Sequence, residues 1–179
     1  SLQAQENIEL NKAILKTITA LNKVDEKVLN EMISEEYGLA ILFKRGVNDN
    51  VLIEKSISIA HPIPEYLPYS FFGEINVNQK VKYENLPTFD CDTEKFTKEN
   101  GIYCDAASNY NDVSQIALNE NKYLYASWTE EQIAKMKAVE QKSKKIIAFG
   151  PNGTHIFYLT FIHNKWYLTM IDRFEVCSA

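Results

Sequence analysis

Between Glu6 and Leu21 the apolar residues Leu10, Ile14, Leu15, Ile18 and Leu21 recur at three- and four-residue spacing, the signature of one face of a helix. The next stretch, NKVDEKVLNEMISEEYG, predicts a turn and a second helix. Asp25 stands where an N-cap belongs, Val28, Leu29, Met32 and Ile33 form an inward stripe, and Gly38 ends it. Then the period changes. LAILFKR is apolar on both faces, as a strand buried between neighbours requires. After GVNDN, the stretch VLIEKSISIA mostly alternates. Val51, Ile53, Ile57 and Ile59 point one way and Glu54, Ser56 and Ser58 the other, with Lys55 the exception. The two runs predict a hairpin with one wetted face.

Residues 61–110 follow neither period. HPIPEYLPYSFFG sets three prolines among aromatics, which excludes a regular helix or a central strand. INVNQKVKYENLP has room for one short strand, and NDVSQIALNENKYL for a short helix. The strongest helix signal is TEEQIAKMKAVEQKSKK. Thr129 and Gln132 make a capping box, Ile133, Met136 and Val139 form the stripe, and the lysines read as its solvated face. IIAFGPNGTHIFYLTFIHNKWYLTMID predicts three strands, joined by a Gly-Pro-Asn-Gly turn and a tight turn around His163-Asn164-Lys165. Without repeats or linkers, residues 1–179 form a single domain of the α+β class. N-terminal helices and one long helix pack on an antiparallel sheet, with 61–110 as an irregular excursion.

Composition narrows the function more than the fold. A chain of 179 residues is long enough to bury a core unaided, and 12% aromatic residues favour strands. A net charge of −5 argues against a nucleic-acid or anionic-membrane surface. No apolar run approaches the roughly 18 residues that span a bilayer. The start at Ser1 and the polar SLQAQENIEL fit a leader to the first helix, left after removal of a signal peptide.

FDCDTEKFTKENGIYCD, residues 89–105, concentrates five carboxylates and two cysteines. An EF-hand starting at Asp90 would gain oxygens from Asp92 and Glu94. It would then place Lys95 where Gly is needed and Gly101 where Glu is needed. Zinc lacks a CxxC pair and a nearby histidine, so no metal is expected. A disulfide remains. Cys91–Cys104 is the leading pairing, closing a loop of about 14 residues for roughly 3 kcal/mol. Cys177 is the alternative partner, and three free thiols come last. A disulfide implies an oxidising compartment: secreted, periplasmic or surface-anchored.

The last hairpin holds the remaining candidate chemistry. With a two-residue turn at His163-Asn164, residue 155 faces 172, 157 faces 170, 159 faces 168 and 161 faces 166. His155, Phe157, Leu159, Phe161, Trp166, Leu168, Met170 and Asp172 then share one side of the sheet. Phe157, Phe161, Trp166 and Met170 would line any pocket there. His155 and Asp172, at the far end, are direct partners or diagonal neighbours about 7–8 Å apart. Such a pair could move a proton near neutral pH, or simply be an ion pair at a strand end. No nucleophile elbow, zinc-protease or phosphate-loop motif is present, and no cofactor is expected. Asn152-Gly153-Thr154 satisfies the glycosylation pattern but reads first as a turn.

The element order resembles the nuclear-transport-factor-2-like (cystatin-like) fold, in which a curved antiparallel sheet wraps a helix into a cone. ISEEYGLAILFKRGV, NKWYLTMIDRFEVCSA and the Glu/Lys-rich helix between them resemble a family of secreted bacterial proteins of uncharacterised function with that fold. His163-Asn164-Lys165-Trp166 stands where that family often has Asn-Gly-Lys-Trp. That fold hosts isomerases, dehydratases, transport factors and ligand-binding domains, and the leading reading of the sequence is a secreted or surface-anchored, non-catalytic module that binds a small molecule or a protein, with a homodimer compatible. Two alternatives are a small isomerase- or dehydratase-like enzyme using His155 and Asp172, and a structural envelope component.

Overall fold

The computed structural model describes residues 2–177. Ser1, on which the expectation of a removed leader rests, lies outside the described residues, as do Ser178 and Ala179. Helix α1 (Leu2–Lys23) buries Leu10, Ile14, Ile18 and Leu21, as their spacing predicts. It starts earlier than the apolar stripe, because Gln, Ala, Glu and Leu are adequate helix formers and carry the helix into the polar leader. Helix α2 (Glu26–Glu31) is capped by Asp25, whose Oδ1 accepts the Val28 N–H at 3.2 Å. It ends well before Gly38, and the Met32 carbonyl instead accepts Leu168 N–H at 2.8 Å.

Strands β1 (Leu39–Arg45) and β2 (Asn48–Glu54) form a hairpin as predicted, but it turns at Gly46-Val47, so β2 takes Asn48–Asn50 from the expected loop and ends before Ile57 and Ile59. After a short 3₁₀ turn (Tyr69–Phe72) come β3 (Val81–Tyr83), the small pair β4 (Phe89–Asp90) and β5 (Lys95–Phe96), and β6 (Gly101–Cys104). Helices α3 (Asp112–Tyr123) and α4 (Glu130–Glu140) precede β7 (Ser143–Gly150), β8 (Gly153–Ile162) and β9 (Lys165–Asp172). The main sheet runs β2-β1-β9-β8-β7-β6-β3, antiparallel except at β1–β9 and β3–β6. Lying between β2 and β9, β1 is buried on both faces, as its continuous apolar run requires. No helix among the described residues is long and apolar enough to cross a membrane.

The helices divide between the two faces of this α+β sheet. On one, Ile14 and Ile18 of α1 pack with Leu39, Ile41, Phe157, Leu159 and Leu168. On the other, Val113, Ile116, Ile133 and Met136 of α3 and α4 cover Ala40, Leu42, Tyr158 and Met170. A third cluster places Phe96 and Leu86 on Tyr103, Ile147 and Phe149 at the β6–β7 side. The capping box at Thr129 and Gln132 forms and Lys135 and Lys137 lie exposed on α4, but the helix stops at Glu140, and Lys144 and Lys145, expected on the same face, run into β7. Ser143 makes that break: its hydroxyl donates to the Val139 carbonyl at 2.8 Å and meets the Thr160 hydroxyl at 2.7 Å on β8. The long helix of the domain is therefore α1.

Two sequence expectations are corrected here. The cysteine bond is Cys91–Cys177, with Cα atoms 5.6 Å apart, and Cys104 is a free, buried thiol. Cys104 could not reach Cys91 because it ends β6, a strand buried at all four positions, and joins the α1-side core. Its stretch looks like surface loop until β7 pairs with it. Burial pushes its thiol up to about 12. The second correction concerns the last hairpin. His163 and Asn164 turn as predicted, both at positive φ (47° and 63°), and Phe161 faces Trp166 and Leu159 faces Leu168. Beyond that a bulge intervenes: Tyr158 pairs with Met170 and Phe157 with Ile171, leaving Thr169 as the extra residue. Thr169 uses the slip to place its hydroxyl 2.6 Å from that of Thr160. Met170 thereby moves to the α3/α4 face, away from Phe157.

Candidate functional site: an aromatic cleft over Asp172

The bulge also separates the predicted acid–base pair. Alternation beyond Phe157 and Ile171 carries His155 toward α1 and Asp172 to the opposite face. His155 Nε2 lies 3.0 Å from Asn22 Oδ1 at the end of α1. That same oxygen accepts the Ile75 N–H at 2.9 Å, and the Asn22 amide donates to the Ile75 carbonyl at 2.7 Å. The shared acceptor makes Nε2 the protonated nitrogen of His155. Burial lowers the His155 pKa to about 4, so the ring is neutral near pH 7 and ties α1, β8 and the excursion together. His155 and Asp172 share no hydrogen bond or ion pair among the described residues.

Asp172 instead lies in a cleft of about 350 Å³ whose walls come from three separate segments. The 3₁₀ turn supplies Phe71 and Phe72, ring edge to ring face with centroids 5.1 Å apart. The β4–β5 pair supplies Phe89 and Phe96, likewise edge to face at 5.0 Å. Phe96 is seated by stacking on Phe149 at 3.9 Å. The segment after β9 supplies Phe174, Glu175 and Val176, while Ile156 and Thr154 of β8 line the floor.

Each wall has an identifiable anchor. The 3₁₀ turn is fixed where Gly73 bridges Gly153 and the Glu74 N–H donates to the Asn152 carbonyl at 3.0 Å. The C-terminal segment is held by Arg173, only 3% exposed. Its Nε donates to the Ile63 carbonyl at 2.8 Å and its terminal nitrogen to the Leu67 carbonyl. Its guanidinium lies 4.2 Å from the Tyr69 ring centroid. Burial lowers the Arg173 pKa to about 10, which leaves it charged at neutral pH. Beyond it, Cys177 is bonded to Cys91, so the disulfide joins the C-terminal wall to the β4–β5 wall.

The Asp172 carboxylate accepts the Phe174 N–H at Oδ1, 2.9 Å away. Burial pushes its pKa up to about 6, with Lys145 opposing the rise and Asp112 and Asp49 adding to it. No ion pair joins Asp172 to a cation among the described residues, and none of the residues lining the cleft is Lys, Arg or His. Among the described residues no three His, Cys, Asp or Glu side chains converge to hold a metal ion.

The four residues expected to line a pocket are dispersed. Phe157 is fully buried core and Met170 packs under α3 and α4. Phe161 and Trp166, rings 5.2 Å apart, line a separate groove beside α1 that also holds Lys12, Lys16 and Glu9. The aromatic residues of the Asp172 cleft were missed because none lies in a periodic segment. One signal was available: Phe89-Asp90-Cys91 and Phe174-Glu175-Val176-Cys177 each set a phenylalanine close to a cysteine. A bond between those cysteines brings both rings together.

No protein-family model, curated protein or solved structure matches the chain.

Proposed function

We propose that this protein is a non-catalytic small-ligand-binding module of an oxidising compartment, secreted, periplasmic or surface-anchored, and that the cleft over Asp172 is its binding site. The observation that carries the reading is an apolar cleft of about 350 Å³ with the Asp172 carboxylate set among its phenylalanines. That volume and that mix of aromatic wall with few polar groups are those of small-molecule sites. Three independent anchors, the Gly73–Gly153 crossing, Arg173 and the Cys91–Cys177 bond, hold the walls before any ligand arrives. Preformed walls lower the ordering cost of binding. The disulfide supports the compartment.

The finer fold description we propose is the nuclear-transport-factor-2-like cone of the resembled secreted family. Its support is α1 lying along one face of a mainly antiparallel sheet.

The test is titration with a neutral probe, 3,3-dimethyl-1-butanol, followed by NMR of the methyl groups of Ile156 and Val176. Saturable shifts at both methyls are expected. Phe71 is 57% exposed, so Phe71→Ala removes a wall without emptying the core, and it should weaken that binding. Shifts confined to the Phe161–Trp166 groove would refute the assignment.

A further inference from the structure

Resting on that reading, the chemistry of the cleft also specifies the charge of its occupant. Aromatic ring faces carry negative electrostatic potential and attract cations. Five phenylalanines contribute to the walls, and among the described residues that line the cleft the two ionisable ones, Asp172 and Glu175, are both acidic. A bound anion would face the Asp172 carboxylate, and the described lining residues offer it no basic side chain. A neutral ligand would take water from Asp172 and return no charge to it, which is costly for a carboxylate in an aromatic pocket. A metal ion would need several oxygen ligands at once, and the described residues supply no such cluster. An organic ammonium meets both demands, with its alkyl shell against the rings and its charge beside the carboxylate.

We propose that the cleft binds a small organic cation of the alkylammonium class, with its charged nitrogen beside Asp172 and its carbon shell against the rings of Phe71, Phe89, Phe96 and Phe174. Asp172 is then a recognition residue, and the Phe174 N–H bond to Oδ1 fixes the carboxylate so that it meets the ligand in one orientation.

The experiment compares choline with 3,3-dimethyl-1-butanol, which replaces the charged nitrogen by carbon at nearly the same shape. Choline is expected to bind the intact protein roughly tenfold more tightly than the alcohol. Asp172→Asn, which keeps an acceptor for Phe174, should abolish that preference by weakening choline binding about tenfold relative to the alcohol. The unsubstituted protein gives a second reading. Lowering the pH from about 7.5 to about 5 protonates Asp172, against Lys145, Asp112, Asp49 and Glu175 around it, and should also erase the preference for choline, whose charge does not titrate. Equal affinity for the two probes at pH 7.5 would overturn the inference of charge and leave the binding cleft standing. Failure of both probes to perturb Ile156 and Val176 would overturn the inference and the cleft together.

Discussion

Gly73 and Gly153 cross backbone to backbone, so closely that a Cβ on Gly73 would sit 1.9 Å from the Asn152 carbonyl oxygen and one on Gly153 2.4 Å from that of Phe72. This crossing ties the proline-rich excursion to the β7–β8 turn and sets the position of Phe71 and Phe72 on the cleft wall. Gly73 also has φ of +75°, a region that side chains with a Cβ rarely enter.

Gly73→Ala should therefore cost about 3 kcal/mol or more in chemical denaturation, combining a backbone clash with a strained conformation. Gly46 is the control. It also has positive φ, +60°, but its Cβ would meet nothing within 4 Å, so Gly46→Ala should cost only about 1 kcal/mol. Equal costs at the two positions would mean that the crossing contributes nothing beyond conformational preference.

The Cys91–Cys177 bond spans 86 residues and constrains the unfolded chain strongly. Loop-closure entropy places its loss at about 4.5 kcal/mol. Cys177→Ser and Cys91→Ser should each lower stability by that order, with the double variant no worse than either single. Peptide mapping of the non-reduced protein should recover the 91–177 linkage, with Cys104 alkylated only after unfolding. A 91–104 linkage would require β6 to leave the sheet and would contradict the fold.

Asp172 links stability to pH. Its carboxyl is raised from 3.8 to about 6 in the folded protein, so its favourable contribution is complete below pH 4 and is lost as the pH rises through 6. Asp172→Asn removes that loss. The variant should be more stable than the parent above pH 7, by at most about 3 kcal/mol at 1.4 kcal/mol per unit, and no more stable near pH 4. Urea denaturation at the two pH values measures the difference. A variant less stable than the parent at pH 7.5 would show that Asp172 is well satisfied in the free protein.

Leu168 is fully buried between α1 and the sheet, on the face that also carries Phe157, Leu159 and Ile171. Leu168→Ala should cost about 2–5 kcal/mol, the range for a large-to-small change in a packed core. An unaltered denaturation midpoint would mean that the hairpin register is wrong.

Much of the fold was legible where local chemistry decides the outcome. The Asp25 cap, the Thr129–Gln132 box, the apolar stripe of α1 and the His163-Asn164 turn each follow from neighbouring residues. Outcomes set by distant partners were not legible. The bulge at Thr169 depends on a hydroxyl chain from Ser143 through Thr160, which joins three strands. Cys104 looked like half of a loop staple because its burial depends on β7 and α1. For the site, the sequence singled out Asp172 but paired it with His155 across the sheet. Its actual neighbours, Phe71, Phe89 and Phe96, come from the stretch where periodicity is silent and only the disulfide and the glycine crossing impose proximity.

The central claim is that a ligand sits in the cleft over Asp172, and intermolecular nuclear Overhauser effects from the choline methyl protons test it most directly. Contacts are predicted to the ring protons of Phe71, Phe89, Phe96 and Phe174 and to the methyl groups of Ile156 and Val176. Contacts instead to Phe161 and Trp166, on the groove beside α1, would contradict the account.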